Sequence, residues 1–161
     1  MTDHLTTYLH DHLAGSHFAI KLLESLHEQY KGEPLGVFAH AVCAEIQQDQ
    51  DTLQQIIEHV GKPHLDMMEL AGWLAERASQ FKLHRDGSSG GLGTFEALET
   101  LTLGIRGKGA LWKSLSLISK FDVRLPKYDY GGLIARAEDQ FQRVEEHRLK
   151  MLDVTFAPKL Q

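Results

Sequence analysis

The side chains of this chain that could do chemistry are polar residues lying within or beside otherwise apolar helical faces. At about 100° per residue, four long segments each carry such an interruption. A buried polar group needs a partner, so these positions constrain the structure more than exposed ones do. The set comprises a lysine, carboxylates, a histidine and a serine, groups that bind metals or transfer protons: Ser16, Glu45, Asp49, Lys108, Glu138, Glu145 and His147.

These side chains are expected at one height in a helical bundle. An antiparallel first hairpin places Ser16 opposite Asp49, and a third helix parallel to the second places Lys108 level with Asp49. We therefore predict a central polar layer in which Lys108 pairs with Asp49 and lies near Glu45. The alternative is that Lys108 extends to the surface and Asp49 faces a wet groove.

Five amphipathic segments must position this layer. Apolar residues recur at steps of three and four, which predicts helices over residues 4–31, 34–60, 94–120 and 130–156, and a shorter one over 66–83. Two close pairs with a long connection between them predict two antiparallel hairpins joined by a crossover helix. The fold class is therefore an all-α four-helix bundle, formed by residues 1–161 as a single domain.

Composition argues against several classes of function. The net charge of −5 and the lack of a basic stripe argue against a nucleic-acid partner. There is no signal-peptide pattern and no apolar run long enough to span a bilayer, so no membrane association is expected. Cys43 is the only cysteine, which excludes an internal disulfide and favours a cytoplasmic location.

Three glycines interrupt the third helical segment, at Gly104, Gly107 and Gly109. Each costs a helix about 1 kcal/mol relative to alanine, so their presence needs a reason. Tight packing against another helix is the favoured explanation. A bound ligand or a kink is the alternative.

The two-hairpin layout covers nearly the whole chain and resembles the ferritin-like superfamily. The segments YLHDHLAGS (residues 8–16) and LGTFEALETL (residues 92–101) are similar to an uncharacterised bacterial branch of it. The resemblance implies a four-helix bundle but no particular activity, because that branch has none assigned.

Many members of the superfamily hold two iron or manganese ions, using one Glu from each of two helices and a Glu-x-x-His pair from each of the others. In this chain Gln48 stands three residues after Glu45, and Phe141 three residues after Glu138, where histidines are required. We therefore expect a degenerate metal site, with no cofactor, in which Lys108 supplies the positive charge.

The sequence thus favours a non-catalytic bundle with a structural, regulatory or partner-binding role, its partner being another protein or a second copy. The alternative is a di-metal carboxylate protein that oxidises or stores iron or handles peroxide. Its atypical ligands would be Glu45, Asp49, Glu138 and His147.

Overall fold

The computed structural model describes residues 3–61, 72 and 91–158, and every regular element in this part of the chain is helical. The predicted all-α fold with four long helices is therefore confirmed for these residues. The predicted crossover helix over 66–83 lies outside them, except for Gly72. In chain order the elements are α1 (His4–Gln29), α2 (Pro34–Val60), α3 (Leu92–Ile118), α4 (Tyr130–Lys150) and the short α5 (Leu152–Phe156).

Local sequence signals set most of the helix ends. Asp3 caps α1, its carboxylate accepting a hydrogen bond from the Leu5 amide at 3.2 Å. Pro34 occupies the first turn of α2, where its missing N–H is not needed, and Gly61 ends that helix at φ 110°. Asp129 caps α4 through the Gly132 amide at 2.9 Å.

Helices α1 and α3 each end two residues before the predicted position, and two further boundaries also differ. Helix α3 begins at Leu92, because Gly91 turns the chain with a left-handed φ of 81°. Thr94 therefore lies in the first turn of α3, and its hydroxyl lies 2.6 Å from that of Tyr30. The last segment divides at Met151, where the backbone N–H bonds to the Arg148 carbonyl three residues back and tightens the turn.

Helices α1 and α3 pack antiparallel along their length. Asp3 at the start of α1 pairs with Arg124, just beyond the end of α3. The Tyr30 hydroxyl at the end of α1 lies beside Thr94 at the start of α3. Helices α2 and α4 are also antiparallel, because contacts with residues further along α2 fall progressively earlier along α4, as shown by the pairs Phe38–His147, Glu45–Arg143 and Gln48–Arg136.

The hairpin pairs α1–α2 and α3–α4 complete the arrangement. Helices α2 and α3 therefore occupy opposite corners, and a side chain joining them must cross the centre of the bundle. Aliphatic side chains and Trp112 fill most of that interior. In the described part of the chain no helix combines the length and apolarity needed to cross a membrane.

The contact between the start of α1 and the loop after α3 should be visible in an acid titration. A hydrogen bond from Arg124, with a second from the Thr6 hydroxyl, lowers the pKa of Asp3 from 3.8 to about 2. A carboxylate with a depressed pKa in the folded state stabilises the fold above its unfolded pKa, and this contribution is lost as pH falls from about 4 towards 2. Arg124→Gln should raise the Asp3 pKa towards 3.8, measured by carboxyl NMR titration.

Lys127→Gln is the matched control, because this exposed lysine lies in the same loop and is not a cause of the Asp3 shift. An Asp3 pKa that is unchanged in Arg124→Gln would contradict the packing of this loop on α1.

Candidate functional site

The centre of the bundle holds a buried ion pair between Lys108 of α3 and Asp49 of α2. The Lys108 Nζ lies 2.5 Å from Asp49 Oδ2, and the two side chains are only 15% and 3% exposed. The predicted pairing of these residues is therefore present in the structure. A long side chain is required here, because α2 and α3 stand on opposite corners of the bundle.

Gln140 of α4 completes this contact and is fully buried. Its Oε1 accepts a hydrogen bond from Lys108 Nζ. Its Nε2 donates to Asp49 Oδ2 at 3.2 Å and to Glu45 Oε2 at 3.1 Å. Both donors and the carbonyl oxygen of this amide are thus satisfied, as a buried polar side chain requires.

Two arginines of α4 flank the pair from the surface side. Arg143 Nη2 donates to Glu45 Oε2 at 2.6 Å. Arg136 Nε lies 3.4 Å from Asp49 Oδ1, and its Nη2 donates to the Glu45 carbonyl at 2.9 Å. We call Lys108, Asp49, Gln140, Glu45, Arg136 and Arg143 the polar cluster. It contains three cations and two carboxylates.

Burial and pairing act against each other in this cluster. Burial lowers the pKa of Lys108, while the Asp49 carboxylate opposes that shift and favours the ammonium form. Burial raises the pKa of Glu45, but hydrogen bonds from Arg143 and Gln140 bring it below its usual value. The carboxylates are therefore already neutralised by side chains of the protein.

Gln140 was not among the residues that the sequence predicted for the polar layer. The signal was present: Gln140 comes three residues after Ala137 and four before Val144, both buried. In the structure Phe141 lies instead beneath the Arg106 guanidinium, 3.5 Å from the ring centre. The inward face of α4 is thus displaced by one residue, about 100° around the helix.

Three predicted residues lie outside the polar cluster: Glu138 and Glu145 because of this displacement, and His147 because it lies two turns beyond Gln140 along α4. Glu138 is 49% exposed and pairs with Arg106 at 2.6 Å. Glu145 pairs with Arg148 in its own helix at 2.6 Å. The His147 ring stacks on Phe38, near the start of α2, with 3.8 Å between the ring centres. Burial lowers the pKa of His147.

Ser16 lies beside the polar cluster but does not join it. Its Oγ donates to the Leu13 carbonyl at 2.6 Å and accepts from Gln50 Nε2 at 2.8 Å. Ser16 and Asp49 nevertheless line the same cleft, so the antiparallel α1–α2 hairpin does bring them to one level.

The polar cluster does not fit a di-metal centre. Within the described residues, no three His, Cys, Asp or Glu side chains are grouped so that they could hold a metal ion. The four alternative metal ligands predicted from the sequence do not come together in the structure. Glu138 pairs with Arg106, and His147 stacks on Phe38. Asp49 and Glu45 already accept hydrogen bonds from protein donors, and a lysine beside them repels an incoming cation.

A cleft of about 250 Å³ adjoins the polar cluster, between α1, α2 and α3. Gly15, Gly104 and Gly107 form part of its wall, and a Cβ added at any of them would meet no atom of the described residues within 4 Å. Tight packing against the described helices therefore does not explain Gly104 and Gly107. It suits only Gly109, whose Cβ position lies 3.7 Å from the Ala137 methyl group.

The cleft has apolar walls and a polar end. Lys108 and Asp49 form that end, where the cleft meets the polar cluster. Trp112 lies in the wall, and its buried indole N–H has no acceptor among the described residues. The apolar lining also includes Ala19, Ile46, Leu53, Ile105 and Leu111, and the remaining polar lining is Asp11, His12, Ser16 and Gln50.

Comparison of the chain with models of protein families, with curated proteins and with solved structures finds no match. The resemblance to the ferritin-like superfamily therefore stays a prediction from the sequence. The polar cluster and the cleft are interpreted from their own geometry.

Replacing Lys108 with methionine is expected to destabilise the fold by about 3–5 kcal/mol, because Asp49 loses its buried counter-charge. Combining Lys108→Met with Asp49→Leu should recover much of this loss, since an apolar pair of similar volume needs no solvation. A double-mutant cycle of unfolding free energies in urea measures the coupling directly.

Lys113→Met is the control for this cycle, because Lys113 is an exposed lysine of the same helix. It should change the unfolding free energy by less than about 0.5 kcal/mol. Coupling near zero between Lys108 and Asp49 would mean that the buried pair does not support the fold.

The cleft glycines should tolerate side chains that a packed glycine cannot. Gly104→Ala and Gly107→Ala are each expected to stabilise the fold by about 0.5–1 kcal/mol, because alanine is the better helix former and the added methyl group meets open space. Gly36→Ala should destabilise it, because the same methyl group would overlap the Tyr30 carbonyl. Urea unfolding of the three variants tests this, and destabilisation at Gly104 or Gly107 would show that the cleft is filled.

Proposed function

We propose that this protein is a non-catalytic, ferritin-like helical bundle in which the polar cluster stands in place of a di-metal centre. Its role is then structural, regulatory or partner-binding, the partner being another protein or a second copy of the chain. The observation that carries the proposal is the Lys108 ammonium, 2.5 Å from Asp49 at the centre of the bundle.

The charge balance of the polar cluster supports the proposal. Two divalent metal ions would bring about four positive charges to the carboxylates of such a centre. Here three positive charges come from side chains that are covalently part of the protein: Lys108, Arg136 and Arg143. These side-chain cations therefore balance the charges of Asp49 and Glu45 without a metal ion.

The surroundings of the potential nucleophiles also support a non-catalytic role. Cys43 is buried, with Sγ 4.0 Å from the Ile20 carbonyl, and burial raises the pKa of its thiol. A raised pKa reduces the thiolate fraction, which is the reactive form. The Ser16 hydroxyl is engaged by a backbone carbonyl and by Gln50, so no activating base holds its proton.

The ferritin-like part of the proposal draws on the order of the helices. Two antiparallel hairpins are separated by the connection between Gly61 and Gly91, which is long enough to return along the bundle. This is the connectivity of ferritin-like bundles with one long crossover.

Elemental analysis of protein purified without chelators tests the proposal. We expect no stoichiometric iron, manganese or zinc, because Asp49 and Glu45 are occupied by protein cations. Glu45→Ala should leave the metal content unchanged. The di-metal alternative would instead give about two metal ions per chain, with metal lost in the Glu45→Ala protein.

A further inference from the structure

We infer that the cleft between α1, α2 and α3 binds a small apolar monocarboxylate, with its carboxylate at the Lys108 ammonium and its apolar body along α3. This goes beyond the proposed function, because it assigns a ligand site. The cleft shares Lys108 and Asp49 with the polar cluster, whereas its glycines, its aliphatic walls and Trp112 play no part in the proposed replacement of a metal centre.

The glycines that form the cleft reduce the stability of the helices that contain them. Glycines within a helix are unfavourable, and Gly104 and Gly107 lie in the interior of α3. Neither serves a close contact with another described helix, because a Cβ there would meet no described atom within 4 Å. Gly15 of α1 faces the same space, and a Cβ there would likewise meet none of the described atoms within 4 Å. The shared effect of these three glycines is to leave space in the cleft.

The size of the cleft sets the size of the ligand. An engineered apolar cavity of about 150 Å³ holds one benzene molecule. Scaled to 250 Å³, the cleft holds a body of about ten non-hydrogen atoms. Its walls are the aliphatic side chains of Ile46, Ile105 and Leu111 together with Trp112, so most of that body is apolar.

The charge of the ligand follows from the polar end. Among the described residues that line the cleft, Lys108 is the one lysine or arginine, and burial lowers the pKa of His12, favouring its neutral form. Two N–H groups of the Lys108 ammonium donate to Asp49 and Gln140, and the third has no acceptor among the described residues. A ligand oxygen can take that place.

The carboxylates near the cleft do not cancel this preference. Asp49 is neutralised by Lys108 at 2.5 Å and by Arg136 at 3.4 Å. With three cations and two carboxylates, the polar cluster carries one excess positive charge. Asp139, which pairs with Arg143 from outside, is 65% exposed and screened by water. Asp11 is also exposed, at the solvent side of the cleft.

Trp112 provides a second, independent pointer to a ligand. It is 1% exposed, lines the cleft and has an indole N–H without an acceptor among the described residues. Buried donors are rarely left unpaired. Lys108 and Trp112 are four residues apart on α3 and therefore share one face, so one carboxylate can approach both donors.

The test uses three probes with one benzene ring and different charge: phenylacetate, 2-phenylethanol and the 2-phenylethylammonium ion. Each is titrated into the full-length ¹⁵N-labelled protein at constant ionic strength. The amide signals of Gly104 and Gly107 and the indole signal of Trp112 report on the site, with Trp73→Phe used to assign the indole. Phenylacetate should bind at least about tenfold more tightly than the alcohol, because a hydrogen bond from a charged donor to an anion is the strong contact. The ammonium ion should bind most weakly.

Two variants separate the charge from the space. Gly107→Leu fills the cleft and should abolish binding of all three probes, while Gly109→Ala, beside Ala137 and outside the cleft lining, should change nothing. Lys108→Met combined with Asp49→Leu keeps the space and avoids a lone buried charge. In that protein phenylacetate should lose its advantage over the alcohol.

Equal affinity for the three probes, or preference for the ammonium ion, would overturn the assignment of a carboxylate site. Absence of binding, or binding that survives Gly107→Leu, would overturn the cleft as the site. None of these outcomes bears on metal content, so failure here is distinguishable from failure of the proposed function.

Discussion

The buried contact between Lys108 and Asp49 is the interaction on which the centre of this bundle depends. It joins α2 and α3, which occupy opposite corners of the bundle, across the middle of the fold. Removing two charges from water is costly, so the contact is sustainable only because Gln140 and Arg136 also bond or pair with Asp49. We interpret the pair as a device that fixes the register of the four helices more than one that adds net stability.

The same contact explains why the interior is not closed by aliphatic side chains at this level. A lysine that crosses the bundle presents a narrow stem, and the residues one turn before it and immediately before it are Gly104 and Gly107. The resulting space opens beside the charged end of the lysine. The same short segment of α3, from Gly104 to Lys108, therefore contributes to both the polar cluster and the cleft.

The polar cluster differs chemically from the centre of a metal-binding bundle. Metal ions are exchangeable charges that leave coordination positions for substrates, whereas the cations of the polar cluster are covalently part of the chain. Glu45 is held by Arg143 and Gln140, and Asp49 by Lys108, so neither carboxylate is available as a base without breaking a short contact. The open position in this protein is next to the cluster, in the cleft, and the proposed ligand is an anion and not a metal ion.

The sequence by itself determined the helices and one long-range contact. Apolar residues at steps of three and four mark α1 to α4 because the helical period is fixed by backbone hydrogen bonds. Lys108 and Asp49 were paired correctly because each interrupts an apolar stripe, and antiparallel hairpins fix their height.

Only the tertiary structure decided how each helix turns about its own axis. That rotation depends on side-chain packing between helices, which the period of one helix does not contain. It brought Gln140 inwards and left Glu138 with Arg106 at the surface. It also decided that no described residue lies against Gly104 or Gly107, because the sequence shows that a side chain is missing but not what stands opposite it.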